Sequence, residues 1–370
     1  MNRIILIGNG FDLSHALKTS YKDFIDDFWE QKLKSFSFAC RNRGSGVIGE
    51  NIIRTSSGIK YKDNDITVDI NNIYIRSIIP NIDILQNKTG FNKFLSFISF
   101  FKNTNNSNDI IFNNIFLERI TINQQLQNWV DIEDEYYKAL LKCLKGKTED
   151  IDKLNDDFQN IQNALENYLS KEIERTIVKN LYADSIFYSS LSQDDFIHTL
   201  EPTEKIENIM FLNFNYTPTL KIYKNSDIPN RVIHIHGELN NLDNPIIFGY
   251  GDEIDKNYST IEDANNKSYY KKIKSFMYSL KNNYKDMLKF INSCDYQIFI
   301  IGHSCGVSDR TLLNTLFEHQ NCKSIKIYYY TGNNDYDSYN DTYMNLSRNF
   351  KDKQRMREIV VSKESTFPYC

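Results

Sequence analysis

The 370-residue sequence has little of what would mark a secreted, membrane-bound or modular protein. It has 6 prolines and no proline-rich stretch that could serve as a linker. Its 6 cysteines lie far apart without a Cys-x-x-Cys pair, so we predict neither a zinc site nor a redox pair, but reduced thiols. No apolar run approaches the roughly 20 residues of a membrane span, and the run that follows Arg3 is too short for a signal peptide. These absences predict a cytoplasmic protein that has no membrane partner.

An excess of positive charge is missing as well. The formal net charge is −4, the isoelectric point is about 5.9, and lysines are scattered among the acidic residues. This balance weighs against a nucleic-acid-directed toxin, because such a protein needs a basic surface to neutralise phosphates. What the chain does contain is 41% hydrophobic and 14% aromatic residues, enough to fill the core of one large domain or two ordinary ones.

The N-terminal stretch carries the strongest local signal. The apolar run 4–7 ends in Gly8-Asn9-Gly10, which is typical of a strand buried on both faces. Ser20 followed by Asp23 then predicts a helix start. Strand, glycine turn and helix is the order in which α/β proteins hold a nucleotide phosphate on backbone N–H groups. The third glycine of the dinucleotide fingerprint is missing, so a tight turn without any ligand stays open as the alternative.

Strands and helices alternate in the C-terminal part of the sequence. The predicted strands are 209–212, 231–235, 246–248, 297–301 and 325–330. The predicted helices are one long helix along 269–291 and a shorter one at 312–317. This alternation predicts an α/β fold with a parallel sheet.

The first strand has no partner nearby in sequence, so we predict a discontinuous core. Residues 1–29 would join residues 205–370 in a nucleotide-binding α/β core, and residues 30–204 would form a large, mostly helical insertion. Apolar residues at helical spacing predict two long helices in that insertion, at 124–144 and 151–181. The run 102–109 is close to low complexity and is predicted to be a surface loop.

Polar residues follow the strong predicted strands at the point where each of them ends. Asn215 follows the strand at 209–212, His234 and His236 end the next strand, and Asp309 follows the strand at 297–301. Ligands of open α/β sheets bind beyond the carboxyl ends of the strands, so these residues predict a ligand site. Structural alternatives stay open: a turn role for Asn215, a satisfied buried imidazole for His236, and a helix cap for Asp309.

Together these residues resemble the AbiH phage abortive-infection family. The resemblance lies in Gly8–Asp12 with Thr19–Tyr21, Trp129 with Glu133, His234–Gly237, and Gly302–Ser304 with Asp309. More distantly the chain is similar to sirtuins and sirtuin-like NADases, whose Asn motif matches 213–217 and whose His-Gly matches His236-Gly237. Thr217 stands where that motif has Asp, and the four zinc cysteines of deacylating sirtuins are absent.

The resemblance implies a sirtuin-like Rossmann sheet and an antiviral NAD glycohydrolase that has NAD as its substrate and no metal. It implies a general base at His236 and a positioning amide at Asn215. The implied nucleotide-binding residues are Gly8, Asn9, Gly10 and Phe11, whose backbone N–H groups would hold the pyrophosphate, Asp12, which puts a negative charge beside it, Gly302 and Ser304 on the adenosine side, and Asp309 at a ribose.

A nucleotide-binding regulator without turnover is the alternative function, with the helical region as its partner-binding surface. A phage-derived trigger protein and a homo-oligomer stay open as partners. We also expect His234 to be packed more deeply than His236, because it lies one strand pair further from the carboxyl end.

Overall fold

The computed structural model describes residues 1–41, 51–56, 58–69, 110–123, 128–146, 150–197, 199, 205–223, 227–332 and 336–369. Its strands are β1 (Asn2–Ile7), β2 (Ile52–Thr55), β3 (Gly58–Lys62), β4 (Ile66–Asp69), β5 (Ile110–Phe112), β6 (Ile209–Asn213), β7 (Asn230–His234), β8 (Tyr296–Ile301) and β9 (Cys322–Tyr328). The predicted loop at 102–109 and residues 124–127 of the predicted helix lie outside the described residues.

The helices are likewise numbered along the described chain. They are α1 (Asn9–Ser14), α2 (Tyr21–Arg41), α3 (Ile115–Ile122), α4 (Trp129–Leu144), α5 (Ile151–Glu172), α6 (Leu181–Phe187), α7 (Tyr258–Asp263), α8 (Lys274–Ser279), α9 (Asn282–Ser293), α10 (Arg310–Phe317), α11 (Tyr339–Asn349) and α12 (Lys353–Ile359). No helix among the described residues is both long enough and apolar enough to cross a bilayer.

Five parallel strands form the main sheet, in the order β7-β6-β1-β8-β9. The predicted α/β fold with a parallel sheet is therefore confirmed. The chain places strands on one side of β1 first and then on the other, so the order reverses between β1 and β8. Such a reversal is where open α/β sheets bind ligands. A specifically sirtuin-like Rossmann fold is not shown by this topology.

Strand β1 lies at the centre of the sheet because both of its faces are apolar. Ile4 and Leu6 pack into one buried cluster, whereas Ile5 and Ile7 pack into another, as the alternation of side chains along a strand requires. All four side chains are 0% exposed. Burial of each contributes about 1.5–3 kcal/mol relative to exposure, so this short run favours the central position.

Several predicted element boundaries are wrong. Residues 246–248 form no strand, because the Ile247 N–H donates to the His236 carbonyl (2.7 Å) in a loop rather than to a sheet neighbour. The helix predicted along 269–291 is broken between α8 and α9, where Lys281 adopts an extended conformation. Strand β7 ends at His234, and the helix predicted to reach residue 181 ends at Glu172.

The chain divides into two compact units, residues 1–19, 136–151 and 169–370 in one and residues 20–135 and 152–168 in the other. The second unit contains an antiparallel sheet in the order β2-β3-β4-β5 that the sequence did not predict. It also contains the predicted start of α2. The Asp23 N–H donates to Ser20 Oγ (3.1 Å) and the Ser20 N–H to Asp23 Oδ2 (3.3 Å), which confirms the capping box. The predicted division at residues 29/30 and 204/205 stays a prediction.

Candidate functional site

Two glycine loops meet at the carboxyl ends of β1 and β8. A Cβ atom on Gly8 would lie 2.4 Å from the Cα of His303, and one on Gly10 would lie 2.8 Å from the Cα of Gly302. Gly302 itself has a φ of +67°, and a Cβ there would lie 2.2 Å from the Phe11 nitrogen. These three glycines are therefore required by the close packing of the two loops on each other.

Backbone N–H groups of the first loop donate hydrogen bonds within the chain. The N–H of Gly8 donates to the Ile301 carbonyl (3.1 Å), that of Gly10 to the Gly302 carbonyl (2.8 Å), and that of Phe11 to the Gly8 carbonyl (2.9 Å). Three of the N–H groups predicted to hold a pyrophosphate thus already donate within the chain. A phosphate bound here in this conformation needs other donors.

The remaining side chains of the first loop face the protein. Phe11 is fully buried, with its ring 4.5 Å from that of His15 and 5.5 Å from that of Tyr223, so it is a core residue. Asn9 Oδ1 accepts a hydrogen bond from the hydroxyl of Thr19 (2.6 Å), which ties the loop to the segment before α2.

Asn215 and Asp12 lie beyond the ends of β6 and β1. The Asn215 amide donates to the Gly8 carbonyl (3.0 Å), and its own N–H donates to Asn213 Oδ1 (3.0 Å). Asp12 Oδ2 accepts from the Thr217 hydroxyl (2.6 Å), whereas Asp12 Oδ1 has no hydrogen-bond partner. Burial raises the pKa of Asp12 to about 6, against the lowering effect of the nearby hydroxyls and amide.

His236 and Asp309 form the centre of a buried polar cluster. His236 Nε2 lies 3.1 Å from Asp309 Oδ1 and 2.9 Å from the Tyr278 hydroxyl. Lys274 Nζ donates to the same Asp309 oxygen at 3.0 Å. His303 Nε2 lies 3.7 Å from Asp309 Oδ2, while its Nδ1 accepts from the Cys305 N–H (3.0 Å). We call His236, Lys274, Tyr278, His303 and Asp309 the Asp309 cluster.

The charge states within this cluster follow from its contacts. Burial opposes ionisation of Asp309, but the Lys274 ammonium and then His236 outweigh it and hold the pKa of Asp309 well below its usual range. Burial and the Lys274 charge lower the pKa of His236 despite the neighbouring carboxylate. The geometry therefore describes a Lys–Asp ion pair beside a neutral imidazole at neutral pH.

Asp309 takes up the N-cap position of α10, but its side chain caps no N–H group there. The carboxylate points instead at Lys274 and His236, so the capping alternative is wrong. An ionised carboxylate only accepts hydrogen bonds, so it fixes the imidazole proton on Nε2 and leaves the lone pair on Nδ1. This is the arrangement in which a carboxylate orients a histidine that acts as a base.

Two residues lie differently from expectation. His234 is only half-buried and His236 is 5% exposed, so the expected order of burial is wrong. The reason is that β7 ends at His234, after which the chain turns inward at His236. Ser304 is exposed and lies outside the Asp309 cluster.

The sequence reasoning missed Lys274, Tyr278 and His303 as members of the site. Lys274 and Tyr278 are on α8, inside a stripe that was interpreted as one apolar helix. The sequence carries no signal that separates Lys274 from the neighbouring Lys271 and Lys272. In the structure, Lys274 is buried whereas Lys271 is exposed. The Lys274 side chain is 1% exposed, and buried lysines are paired. Within the described chain, no group of three or more His, Cys, Asp or Glu side chains has the arrangement to hold a metal ion.

The comparisons with known proteins agree with one part of the resemblance. A protein-family model, described as bacteriophage abortive infection AbiH, matches residues 4–331. The match covers far more than half of the chain, so the chain belongs to the AbiH family. No curated protein and no solved structure matches it.

Proposed function

We propose that this AbiH family member acts in phage abortive infection by cleaving NAD at the carboxyl edge of its five-stranded sheet. The observation that carries the proposal is the Asp309 cluster, in which a neutral imidazole is oriented by a carboxylate whose charge Lys274 maintains. The cluster lies beyond the strand ends, where α/β sheets bind nucleotides. Family membership supports the role in defence. NAD as the substrate is suggested by the short sequence motifs that resemble those of sirtuin-like NADases.

The proposed step is hydrolysis of the bond between nicotinamide and ribose. The bonding electron pair leaves with nicotinamide, which departs as a neutral molecule and needs no acid. Water forms the new bond to the ribose carbon, and His236 accepts the proton that the water releases. The Asn215 amide is fixed in its plane by its bond to the Gly8 carbonyl, so it can orient the water or a ribose hydroxyl.

The test is incubation of the purified protein with NAD, followed by mass spectrometry of the products. His236→Gln should slow turnover by about 10²- to 10⁴-fold, which is the usual contribution of a general base. His319→Gln is the control, because this histidine precedes β9, the edge strand on the other side of the sheet from β7. Unchanged NAD with the purified protein and in phage-infected cells would refute the proposal.

A nucleotide-binding regulator without turnover is the second candidate. The observation that favours it is that His236 and Asn215 are 5% and 8% exposed and that the glycine turn uses its N–H groups internally. Such a closed site is suited to a nucleotide that stays bound and regulates the protein without being cleaved. NAD binding measured by calorimetry, with no product and with loss of phage defence in His236→Gln, would select this function over cleavage.

A further inference from the structure

Asp12 is a buried carboxylate that the proposed reaction does not yet use. It is 1% exposed, and only one of its two oxygens has a hydrogen-bond partner. The groups around it that favour its charged form are neutral, namely Thr217, Thr219 and Asn215. A half-satisfied buried carboxylate is costly to the fold, so its presence at a strand end calls for a reason.

A second buried carboxylate in the same unit shows how the chain compensates such a group when its role is structural. Asp195 is 4% exposed, and its Oδ1 accepts a hydrogen bond from the Lys326 ammonium at 2.7 Å. Its charge is therefore matched by an opposite charge. Asp12 carries no such compensation in the contacts that the structure describes, which distinguishes it from a carboxylate that only stabilises the fold.

The contacts of Asp12 place it beside Asn215. Asp12 Oδ2 accepts from the hydroxyl of Thr217, two residues after Asn215, and the Asn215 side chain itself favours the charged form of Asp12. Asp12 follows β1, Asn215 follows β6 and His236 follows β7, and these three strands are neighbours in that order. A ribose held at Asn215 would therefore lie beside the Asp12 carboxylate.

We propose that Asp12 is a second catalytic residue, whose carboxylate stabilises the positive charge that develops on the ribose as nicotinamide leaves. This inference rests on the proposed function. The cation forms when the electron pair of the ribose–nicotinamide bond leaves with nicotinamide, and it disappears when water adds. Asp12 takes up no proton and forms no bond in this step. A fixed negative charge in a water-poor site is the device that glycoside-cleaving enzymes use for the same kind of cation.

The orphaned oxygen supports this role. Thr217 holds one carboxylate oxygen and so fixes the orientation of the group, while the other oxygen is buried and accepts no hydrogen bond. A ribose that develops positive charge beside Asp12 would supply the opposite charge that the carboxylate lacks. Because the charge is needed most in the transition state, its loss should lower kcat much more than the affinity for NAD.

The test compares Asp12→Asn, which keeps the shape of the side chain, with Asp195→Asn as the matched control for loss of a buried carboxylate. NAD turnover, NAD affinity by calorimetry and thermal melting are measured on both variants and on the wild type. We expect kcat of Asp12→Asn to fall by about 100-fold or more, with NAD affinity within about threefold and the fold retained. Asp195→Asn should lose melting temperature and keep its kcat.

The outcomes separate this inference from the proposed function. If the wild type does not cleave NAD, the proposed function fails and the inference fails with it. If the wild type cleaves NAD and folded Asp12→Asn keeps its kcat within about threefold, the role of Asp12 alone is overturned.

If Asp12→Asn does not fold, Thr217→Val tests the same idea with the carboxylate intact. Removal of the hydroxyl makes ionisation of Asp12 harder, so we expect lower turnover than wild type at pH 6.5 and recovery at pH 8.5. An equal ratio to wild type at both pH values would overturn the inference.

Discussion

Replacement of Lys274 by Met tests the Asp309 cluster most directly. Lys274 Nζ lies 3.0 Å from Asp309 Oδ1, with side chains 1% and 8% exposed. At an effective dielectric constant of about 20, two unit charges at this distance attract by about 5–6 kcal/mol. Removal of one partner of a buried pair typically costs about 3–5 kcal/mol, because the other charge is left unpaired. We therefore expect Lys274→Met to lose about 3–5 kcal/mol in its free energy of unfolding.

The assay is urea denaturation at pH 7 on Lys274→Met, Asp309→Asn and the double variant. Because the two residues form one pair, the double variant should lose less than the sum of the single losses, with a coupling energy of about 2 kcal/mol or more. His236 provides a second measurement. Lys274 helps to lower its pKa, so in Lys274→Met the imidazole should titrate at a higher pH.

The pH dependence has a definite sign. Asp309 has a lowered pKa in the folded protein, so its stabilisation is present above its unfolded pKa, near 3.8, and is lost as the pH falls through the lower folded value. Lys274→Met should therefore differ most from wild type at neutral pH and approach it only as the pH falls below 3.8 towards the folded value. Additive losses, or a stability difference that stays constant from pH 7 to pH 3, would show that the ion pair does not hold the cluster together.

Three further predictions concern the strand ends. Gly10→Ala should lose at least about 1–3 kcal/mol in urea denaturation, because its Cβ would lie 2.8 Å from the Gly302 Cα, whether or not a nucleotide is present. Half-buried His234, replaced by Gln, should change NAD turnover by less than about threefold, unlike His236→Gln, and equal losses would contradict our assignment of the base. The raised pKa of Asp12, about 6 against a usual 3.8, means that wild-type stability falls by about 3 kcal/mol as the pH rises from about 4 to 6, and Asp12→Asn should remove that slope in denaturation curves.

The central strands of the sheet were predictable because they are apolar on both faces. The run 4–7 and the strand predicted at 297–301 contain no alternation with polar residues, which is typical only of strands covered on both sides. The helices between the strands predicted parallel pairing. In a parallel sheet the carboxyl ends of the strands lie on the same side, so the polar residues that follow them were expected to lie close together. The second sheet was not predictable in this way, because β2 to β5 are only 3–5 residues long and β5 pairs with a strand that ends about 40 residues earlier.

The members of the Asp309 cluster could be predicted only in part, since the cluster depends on contacts between distant segments. His236 and Asp309 follow predicted strands, so their shared edge was foreseeable. Lys274 is 35 residues from Asp309, on a short helix that exists only because the chain breaks between α8 and α9. Periodicity alone assigns such a lysine to the exposed side of a helix. Its burial is decided by the carboxylate that it meets, which is a property of the folded chain.

The glycines of the N-terminal turn and Asp12 differ in how strongly they support a ligand site. Gly8 and Gly10 are explained without any ligand, because a Cβ on either would collide with the Gly302 loop. The glycine pattern is therefore weak support for a phosphate. Asp12, two residues later, is not explained by packing, since an apolar or amide side chain would fill the same space without the cost of a buried charge. Asp12, Asn215 and His236 therefore support a ligand at these strand ends, whereas the glycines do not.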